Sequence, residues 1–237
     1  MPGKEKDRGI CLSFLYALLD LLYPRLCVVC RKSLTRGERF LCTDCLYDFP
    51  FSDVYFSSKR ELFAGLEEEG CSGKIYSLFY YNKFSDYKNL IHAVKYRSRK
   101  ELGVFLGRML GERLRGMVQV DGIVPVPLHP EREKKRGFNQ SYQIALGVAE
   151  ILQVEIWDNV VIRTRNNVSQ TGLEPEERRK NAEDVFTLAD AVAIAGKHVL
   201  LIDDVITTGA TVHACMKTLA GAGGVRFTLA CLACTQA

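Results

Sequence analysis

The chain of 237 residues has no stretch of about 20 apolar residues, the length a membrane-spanning helix needs. It holds one tryptophan and four histidines, and its glycines and prolines together number only 26. No repeat with a period of roughly 20 to 50 residues runs along it. These absences exclude a helical membrane protein, a collagen-like chain and a solenoid or propeller array. Hydrophobic residues at 47% and charged residues at 25% likewise exclude a disordered chain. The Gly-x4-Gly-Lys pattern of a nucleoside-triphosphate loop is missing too. His92, His129, His198 and His213 are scattered, with no assignable carboxylate partner, so no ready-made general base stands out; His129 alone lies near a candidate ligand loop.

The longest mostly apolar stretch, Ile10 to Tyr23, contains Asp20 and stops at Pro24. Leu12, Leu15, Leu19 and Leu22 recur at helical spacing, which predicts an amphipathic helix packed on the protein body. The following DLLYPRLC offers no small-residue cleavage site, so the expected compartment is the cytoplasm.

Against these absences, nine cysteines are an excess. Cys27-x-x-Cys30 is followed 11 residues later by Cys42-x-x-Cys45. Two such pairs let four thiolates converge on one zinc, each pair in a tight turn, with Gly37 turning the span between them. Two disulfides are the alternative, but a cytosolic protein keeps them reduced. Four protein ligands leave no open position, so this metal is expected to be structural. Cys11, Cys71 and Cys215 are isolated and read as buried hydrophobes. Cys231 and Cys234 sit three apart on a strand, on opposite faces, which argues against a second metal site.

The net charge of +4 is unevenly spread. Residues 1–94 carry 13 basic and 12 acidic groups, residues 95–140 carry 11 and 5, and residues 141–237 carry 8 and 11. A positive middle segment suits a phosphate-rich ligand, although a solvated helix face produces the same run.

From residue 75 onward, apolar strand-like runs alternate with helical ones. IYSLFYYN, DGIVPVPL, VVIRTR, HVLLIDD and VRFTLACLA read as strands. The run LIHAVKYRSRKELGVFLGRMLGERLRGM, broken near Ser98, reads as helix, as do SYQIALGVAEIL and ATVHACMKTLAGAG. This order predicts an α/β fold, a doubly wound, mostly parallel sheet covered on both faces. The N-terminal 1–70 should form the helix and a small zinc-ribbon module, and 71–237 the α/β domain. Ligands in such sheets bind beyond the carboxyl ends of the strands. The loops after strands 121–128, 160–165 and 198–204 are therefore the candidates.

The last of these carries the strongest signal. Asp203 and Asp204 end an apolar strand and lead into Thr207, Thr208, Gly209, Ala210 and Thr211 at a helix start. Paired carboxylates accept hydrogen bonds from a vicinal diol or help to hold a hard cation. The Thr-Thr-Gly-Ala-Thr turn offers hydroxyls and backbone N–H groups to an anion, and Gly209 permits close approach. Singly, each residue also fits a plain helix cap or a solvated acid. Together they match a ribose 5-phosphate.

VLLIDDVITTGAT resembles the 5-phosphoribosyl 1-pyrophosphate (PRPP) motif of type I phosphoribosyltransferases. Together with the four-cysteine module, YYNKFSDYKNLIHAVKY, VPVPLHPEREKKRGFNQS and SQTGLEPEERRKNAEDVF, the chain resembles the ComF family of competence-associated proteins over nearly its whole length. The resemblance implies a zinc finger joined to a phosphoribosyltransferase domain that uses PRPP with magnesium. It also implies a role in DNA uptake and natural transformation, with uptake proteins and single-stranded DNA as possible partners. Family members are often labelled amidophosphoribosyltransferases; no cysteine at position 1 or 2 serves as a glutaminase nucleophile, an expectation against that activity.

On this basis Asp203 and Asp204 would take the ribose hydroxyls, and Thr207 to Thr211 the 5-phosphate. Arg132 and Arg136, with Lys134 and Lys135, would face pyrophosphate from the loop after strand 121–128; a solvated basic turn explains the charges but not their place beyond a strand's carboxyl end. Segment 166–186 resembles the hood that closes over such sites. Arg163, Arg165, Gln170, Arg178, Arg179 and Asn181 are its candidates, with Arg178 assigned a catalytic part. Lys95 resembles a recurring family position and would reach the same phosphates, unless it merely faces water. The acceptor of the phosphoribosyl group is not readable. A second class, a single-stranded-DNA-binding adaptor that keeps the sugar-phosphate site for regulation, fits the same motifs.

Overall fold

A computed structural model describes residues 23–52, 75–95, 100–164 and 185–235. The chain divides into two compact units, 1–49 and 50–237. The expected boundary at residue 70, the expected N-terminal helix, Cys11, Cys71 and the helix break at Ser98 lie outside the described residues.

In the first unit, two tight turns bring the cysteine pairs together. The Cys27 N–H donates to the Lys32 carbonyl at 2.8 Å, and the Arg31 N–H donates to the Cys27 carbonyl at 3.0 Å. Arg31 takes a left-handed φ of 64° to close that turn. Gly37, at φ +95°, turns the chain back, as its position in the sequence predicts. A five-residue helix α1 (Thr43–Tyr47) starts at Cys42 and carries Cys45 on its buried side. Glu38 ties the two halves together: its carboxylate accepts from the Thr35 N–H at 2.7 Å and from the Thr43 N–H and hydroxyl at 2.7 and 2.8 Å. These bonds hold its carboxyl down at about 2.

The second unit is built on a five-stranded sheet, all of it parallel: β1 (Ile75–Tyr81), β2 (Gly122–Pro125), β3 (Glu155–Ile156), β6 (His198–Ile206) and β7 (Arg226–Thr235), in the order β1-β7-β6-β2-β3. Apolar side chains bury both faces of its centre. Along β6, Val199 and Leu201 join one core cluster while Leu200 and Ile202 face the other side, the two-residue alternation of a strand. The long helical run is two helices, α2 (Lys88–Val94) and α3 (Lys100–Leu114). Then come α4 (Pro130–Arg136), α5 (Gln140–Leu152) and α6 (Ala210–Ala220).

Helices α3 and α5 pack backbone to backbone. A Cβ on Gly107 would overlap the Ile144 carbonyl, and one on Gly147 would overlap the Val104 carbonyl, so glycine is required at this crossing. Side-chain-free contact there lets α5 lie close over the sheet, with its first turn at the carboxyl end of β2.

Two expectations are corrected. The strand read as VVIRTR is not part of the parallel sheet. It forms β4 (Val161–Arg163), which pairs antiparallel with the three-residue β5 (Phe186–Leu188) in a separate ribbon. Its end is therefore the root of that ribbon rather than a mouth of the main sheet. The basic PEREKKR stretch is helix α4 and not a loop, capped by the His129 ring, which accepts from the Glu131 N–H at 3.3 Å, and ended by Gly137 at φ +86°.

At the outer edge of β1, Phe51 forms an antiparallel bridge with Phe79, and the Ser52 N–H donates to the Leu78 carbonyl at 3.1 Å. Ser52 is fully buried; its hydroxyl donates to the Ser77 carbonyl, and the Arg113 guanidinium donates to the Ser52 carbonyl at 2.9 Å. Among the described residues, no helix is long and apolar enough to cross a membrane.

Candidate functional site

Strand β6 sets the geometry. Its pairing with β2 ends at Pro125 opposite Ile202, whereas its pairing with β7 continues to Ile206 opposite Cys234. From Asp203 onward, the edge that β2 has left is open to side chains arriving from elsewhere. The strand itself runs two residues beyond the acidic pair, so Asp203 and Asp204 sit on a rigid ladder instead of in the loop after it.

Around that edge lies a cavity of ≈ 180 Å³. Lys95, Arg132, Arg136, Arg163, Asp203, Asp204 and Thr211 all line it. Lys95, just past α2, places its Nζ 3.6 Å from Asp204 Oδ2. Arg136, on the last turn of α4, donates to Gln140 Oε1 at 2.7 Å. In α5, Asn139 caps the helix by accepting from the Ser141 N–H at 3.0 Å, and its amide donates to the Val126 carbonyl at 3.0 Å. That double tether fixes the first turn against β2. It lets the Ser141 hydroxyl donate to Asp203 Oδ1 at 3.0 Å.

The carboxylates are further held by backbone: the Asp204 N–H donates to Asp203 Oδ1 at 2.8 Å, and the Val205 N–H to Asp204 Oδ1 at 2.8 Å. Burial, and then the charge of Asp204, push the Asp203 carboxyl up to about 7; the Asp204 N–H, the Ser141 hydroxyl and the Arg163 guanidinium oppose the shift. Burial, then the like charge of Arg132, lowers the affinity of Arg163 for its proton, and Asp203 opposes this. Arg163 lies over the Phe186 ring at 5.4 Å, and its Nε is buried with no hydrogen-bond partner among the described residues. The walls thus hold four cationic groups against two carboxylates, an arrangement suited to a ligand that carries both phosphate and hydroxyls.

Of the positions singled out by the sequence, Lys95, Arg132, Arg136, Arg163, Asp203, Asp204 and Thr211 come together in this one cavity. Thr207, Thr208, Gly209 and Ala210 form the turn into α6 and are not among its walls; Gly209 takes φ +81° there, and the Ala210 N–H reaches the Thr208 hydroxyl at 3.5 Å. His129 caps α4 and is not a wall either. Arg165, Gln170, Arg178, Arg179 and Asn181 lie outside the described residues. Asn139, Gln140 and Ser141 are walls that the sequence reading passed over. The signal for them was the Asn-Gln-Ser directly after the basic run, a helix-capping sequence placed just beyond a strand's carboxyl end.

The four sulfur atoms of Cys27, Cys30, Cys42 and Cys45 lie within 4.8 Å of one another. Cys30 and Cys42 are 3.6 Å apart. A tetrahedral zinc with bonds of ~2.3 Å sets its sulfurs about 3.8 Å apart, so these thiols fit the ion. The Cys42 N–H donates to Cys27 Sγ at 3.4 Å, the kind of outer contact that orients a thiolate ligand. Cys231 and Cys234 are fully buried in β7, and the four N-terminal cysteines are the one such group among the described residues.

Residues 139–236 match the phosphoribosyl transferase domain family. The chain is 34% identical over 150 residues to DNA utilization protein YhgH of Escherichia coli (strain K12), covering 60% of this chain and 65% of that relative. It is 27% identical over 208 residues to competence protein F of Haemophilus influenzae, covering 81% of this chain and 90% of that one. Competence protein ComFC of Bacillus subtilis is 38% identical over 97 residues, which are 41% of this chain and 37% of that one. The domain match begins at Asn139, the cap that anchors the site's helix, and the chain is similar to relatives named for competence and DNA utilization, the longest of these matches spanning 81% of it.

Proposed function

We propose that the ≈ 180 Å³ cavity binds the ribose 5-phosphate part of PRPP, and that the protein acts with it in DNA uptake. The observation that carries this reading is the acidic pair Asp203–Asp204 facing Lys95, Arg132, Arg136 and Arg163 across one small space. The carboxylates take the ribose diol. Thr211 at the cavity wall, backed by the adjoining turn from Thr207, takes the 5-phosphate with hydroxyl and N–H groups. Arg132 and Arg136 take the pyrophosphate through their planar forks. Arg178 joins from segment 166–186. In transfer, the bond from C1 to the pyrophosphate oxygen breaks as an acceptor nucleophile bonds to C1, and the departing charge falls to the guanidinium groups. Bound magnesium supplies charge neutralisation on the pyrophosphate.

The four cysteines hold a structural zinc, and reduced thiols of this kind fit a cytoplasmic protein. The competence and DNA utilization names of the relatives support a role in transformation. The test is calorimetric titration of PRPP with and without magnesium, followed by a pyrophosphate-release assay over a panel of amines and nitrogen heterocycles. Saturable binding strengthened by magnesium is expected; no PRPP binding at millimolar concentration removes the reading.

One observation favours a second reading. Residues 95–140 carry 11 basic groups against 5 acidic ones, a density suited to a nucleic-acid backbone. On that reading the protein is an adaptor for single-stranded DNA, and the sugar-phosphate cavity regulates it. Single-stranded DNA affinity measured against salt decides: a flat log–log slope rules out phosphate contacts.

A further inference from the structure

Two adjacent residues in the first turn of α5 each hold one charged wall of the ≈ 180 Å³ cavity. Gln140 is only 2% exposed, and its amide is used at both ends. Its Oε1 accepts from the Arg136 guanidinium at 2.7 Å, and its Nε2 donates to the Phe138 carbonyl at 3.2 Å. A guanidinium only donates, so the amide oxygen must face it, and the Phe138 carbonyl keeps the amide that way round. Ser141, also buried, donates its hydroxyl to Asp203 Oδ1 at 3.0 Å. The Asn139 cap fixes both residues against the end of β2.

Both of these partners are neutral. Arg108 and Arg115 pair with carboxylates, Glu150 at 2.8 Å and Glu112 at 3.1 Å, which offset their charge. Arg136 makes no ion pair among the described residues, although Glu133 precedes it by three positions on α4. A neutral acceptor orders the guanidinium and leaves its positive charge whole for an anion. Asp203 shows the converse. The Ser141 hydroxyl and the Asp204 N–H occupy its Oδ1, and its Oδ2 accepts nothing from the described residues. One oxygen orients the carboxyl, and the other is left for a ligand.

We infer that Gln140 and Ser141 are the positioning residues of this cavity: Gln140 aims the Arg136 guanidinium at the pyrophosphate of the ligand, and Ser141 aims Asp203 Oδ2 at the ribose hydroxyls. The inference rests on the reading of the cavity as a PRPP site. Each residue acts through one wall, so each governs one end of the ligand. Both walls are ordered before the ligand arrives, which spares binding the cost of fixing a long side chain. A glutamate in place of Gln140 keeps the contact with Arg136 but offsets its charge. That substitution therefore separates positioning of a free charge from mere packing of the helix turn.

The experiment titrates inorganic pyrophosphate and ribose 5-phosphate separately into the full chain by calorimetry, with a thermal melt on every variant. Gln140→Glu, nearly unchanged in shape, should keep the melting temperature and weaken pyrophosphate about tenfold or more, and more than ribose 5-phosphate. Gln140→Met removes the acceptor at similar volume and should weaken pyrophosphate severalfold. In an Arg136→Ala background it should have no further effect, because the glutamine acts through that arginine. Ser141→Ala should reverse the order, weakening ribose 5-phosphate severalfold and more than pyrophosphate. Pyrophosphate binding indifferent to Gln140→Glu overturns this inference alone. So does either residue's variant weakening both ligands alike, or Gln140→Met adding its full effect to that of Arg136→Ala. Binding of neither ligand to the unaltered chain at millimolar concentration overturns the reading of the cavity and this inference with it.

Discussion

Lys95 Nζ stands 3.6 Å from Asp204 Oδ2, so a lysine just after α2 and an aspartate on the central strand, 109 positions apart, meet at one cavity. Neither residue is fully exposed, and the pair joins the YYNKFSDYKNLIHAVKY motif to the VLLIDDVITTGAT motif. Two segments that resembled the same family separately are one site in space.

Replacing both Asp203 and Asp204 with alanine should abolish ribose-phosphate binding and leave the fold intact. Each carboxylate lost removes charge-assisted hydrogen bonds to a diol worth about 1.5–3 kcal/mol, roughly 10- to 100-fold in affinity. Calorimetry with PRPP measures the loss, and a circular dichroism melt checks the fold. In a host that depends on this protein for transformation, survival of transformation in the double variant would show that the cavity is not the functional one.

The raised Asp203 carboxyl gives the ligand-free protein a pH dependence of definite sign. The folded state keeps this proton up to about 7, whereas the unfolded chain releases it near the ordinary value of 3.8. Its contribution to stability is therefore complete below the unfolded value and is lost as pH rises toward the folded one. The slope has a ceiling of about 1.4 kcal/mol per pH unit for one proton. Asp203→Asn should flatten this part of the profile, as read by urea unfolding between pH 4 and 8. An unchanged slope would contradict the burial argument.

Cys27→Ser or Cys42→Ser should release zinc and destabilise the N-terminal module. Three thiolates leave the ion one ligand short, and the folding energy of a structural site comes from the bound metal. Atomic absorption on the purified variants reads the metal content; a full equivalent of zinc retained would remove the assignment.

Gly107→Ala should destabilise the protein by about 1–3 kcal/mol, the typical cost of overpacking a tight core. Alanine is the better helix former by about 1 kcal/mol, so propensity alone predicts the opposite sign. The added methyl meets the Ile144 carbonyl, which belongs to a helix backbone and does not yield. Chemical denaturation settles the sign.

The apolar strands and long helices were legible in the sequence because periodicity reports burial. HVLLIDD reads as a buried strand since four consecutive apolar residues fill both faces of a sheet, and Val199 to Ile202 are all buried. Helix α4 was not legible, because none of its residues is buried and PEREKKR has no apolar stripe for a period to reveal. Its signals were Pro130 at the start and Gly137 past the end. The antiparallel β4–β5 ribbon was read as part of the main sheet, since three apolar residues carry no information about their partner. Ser141 was passed over for a different reason: a serine in the first turn of a helix looks like a cap, and only the fold brings it to Asp203, 62 positions away.

The bridge from Phe51 to Phe79 and the buried Ser52 bear on how the α/β unit can be cut free for study. A sheet whose outermost strand presents unpaired backbone groups invites other chains to add themselves to it. Residues 51 and 52 occupy part of that strand's outer rim, and the Arg113 guanidinium fastens them there. A shortened chain starting at Pro50 keeps this guard, whereas one starting at Ile75 sheds it and should self-associate at concentrations where the longer fragment stays monomeric.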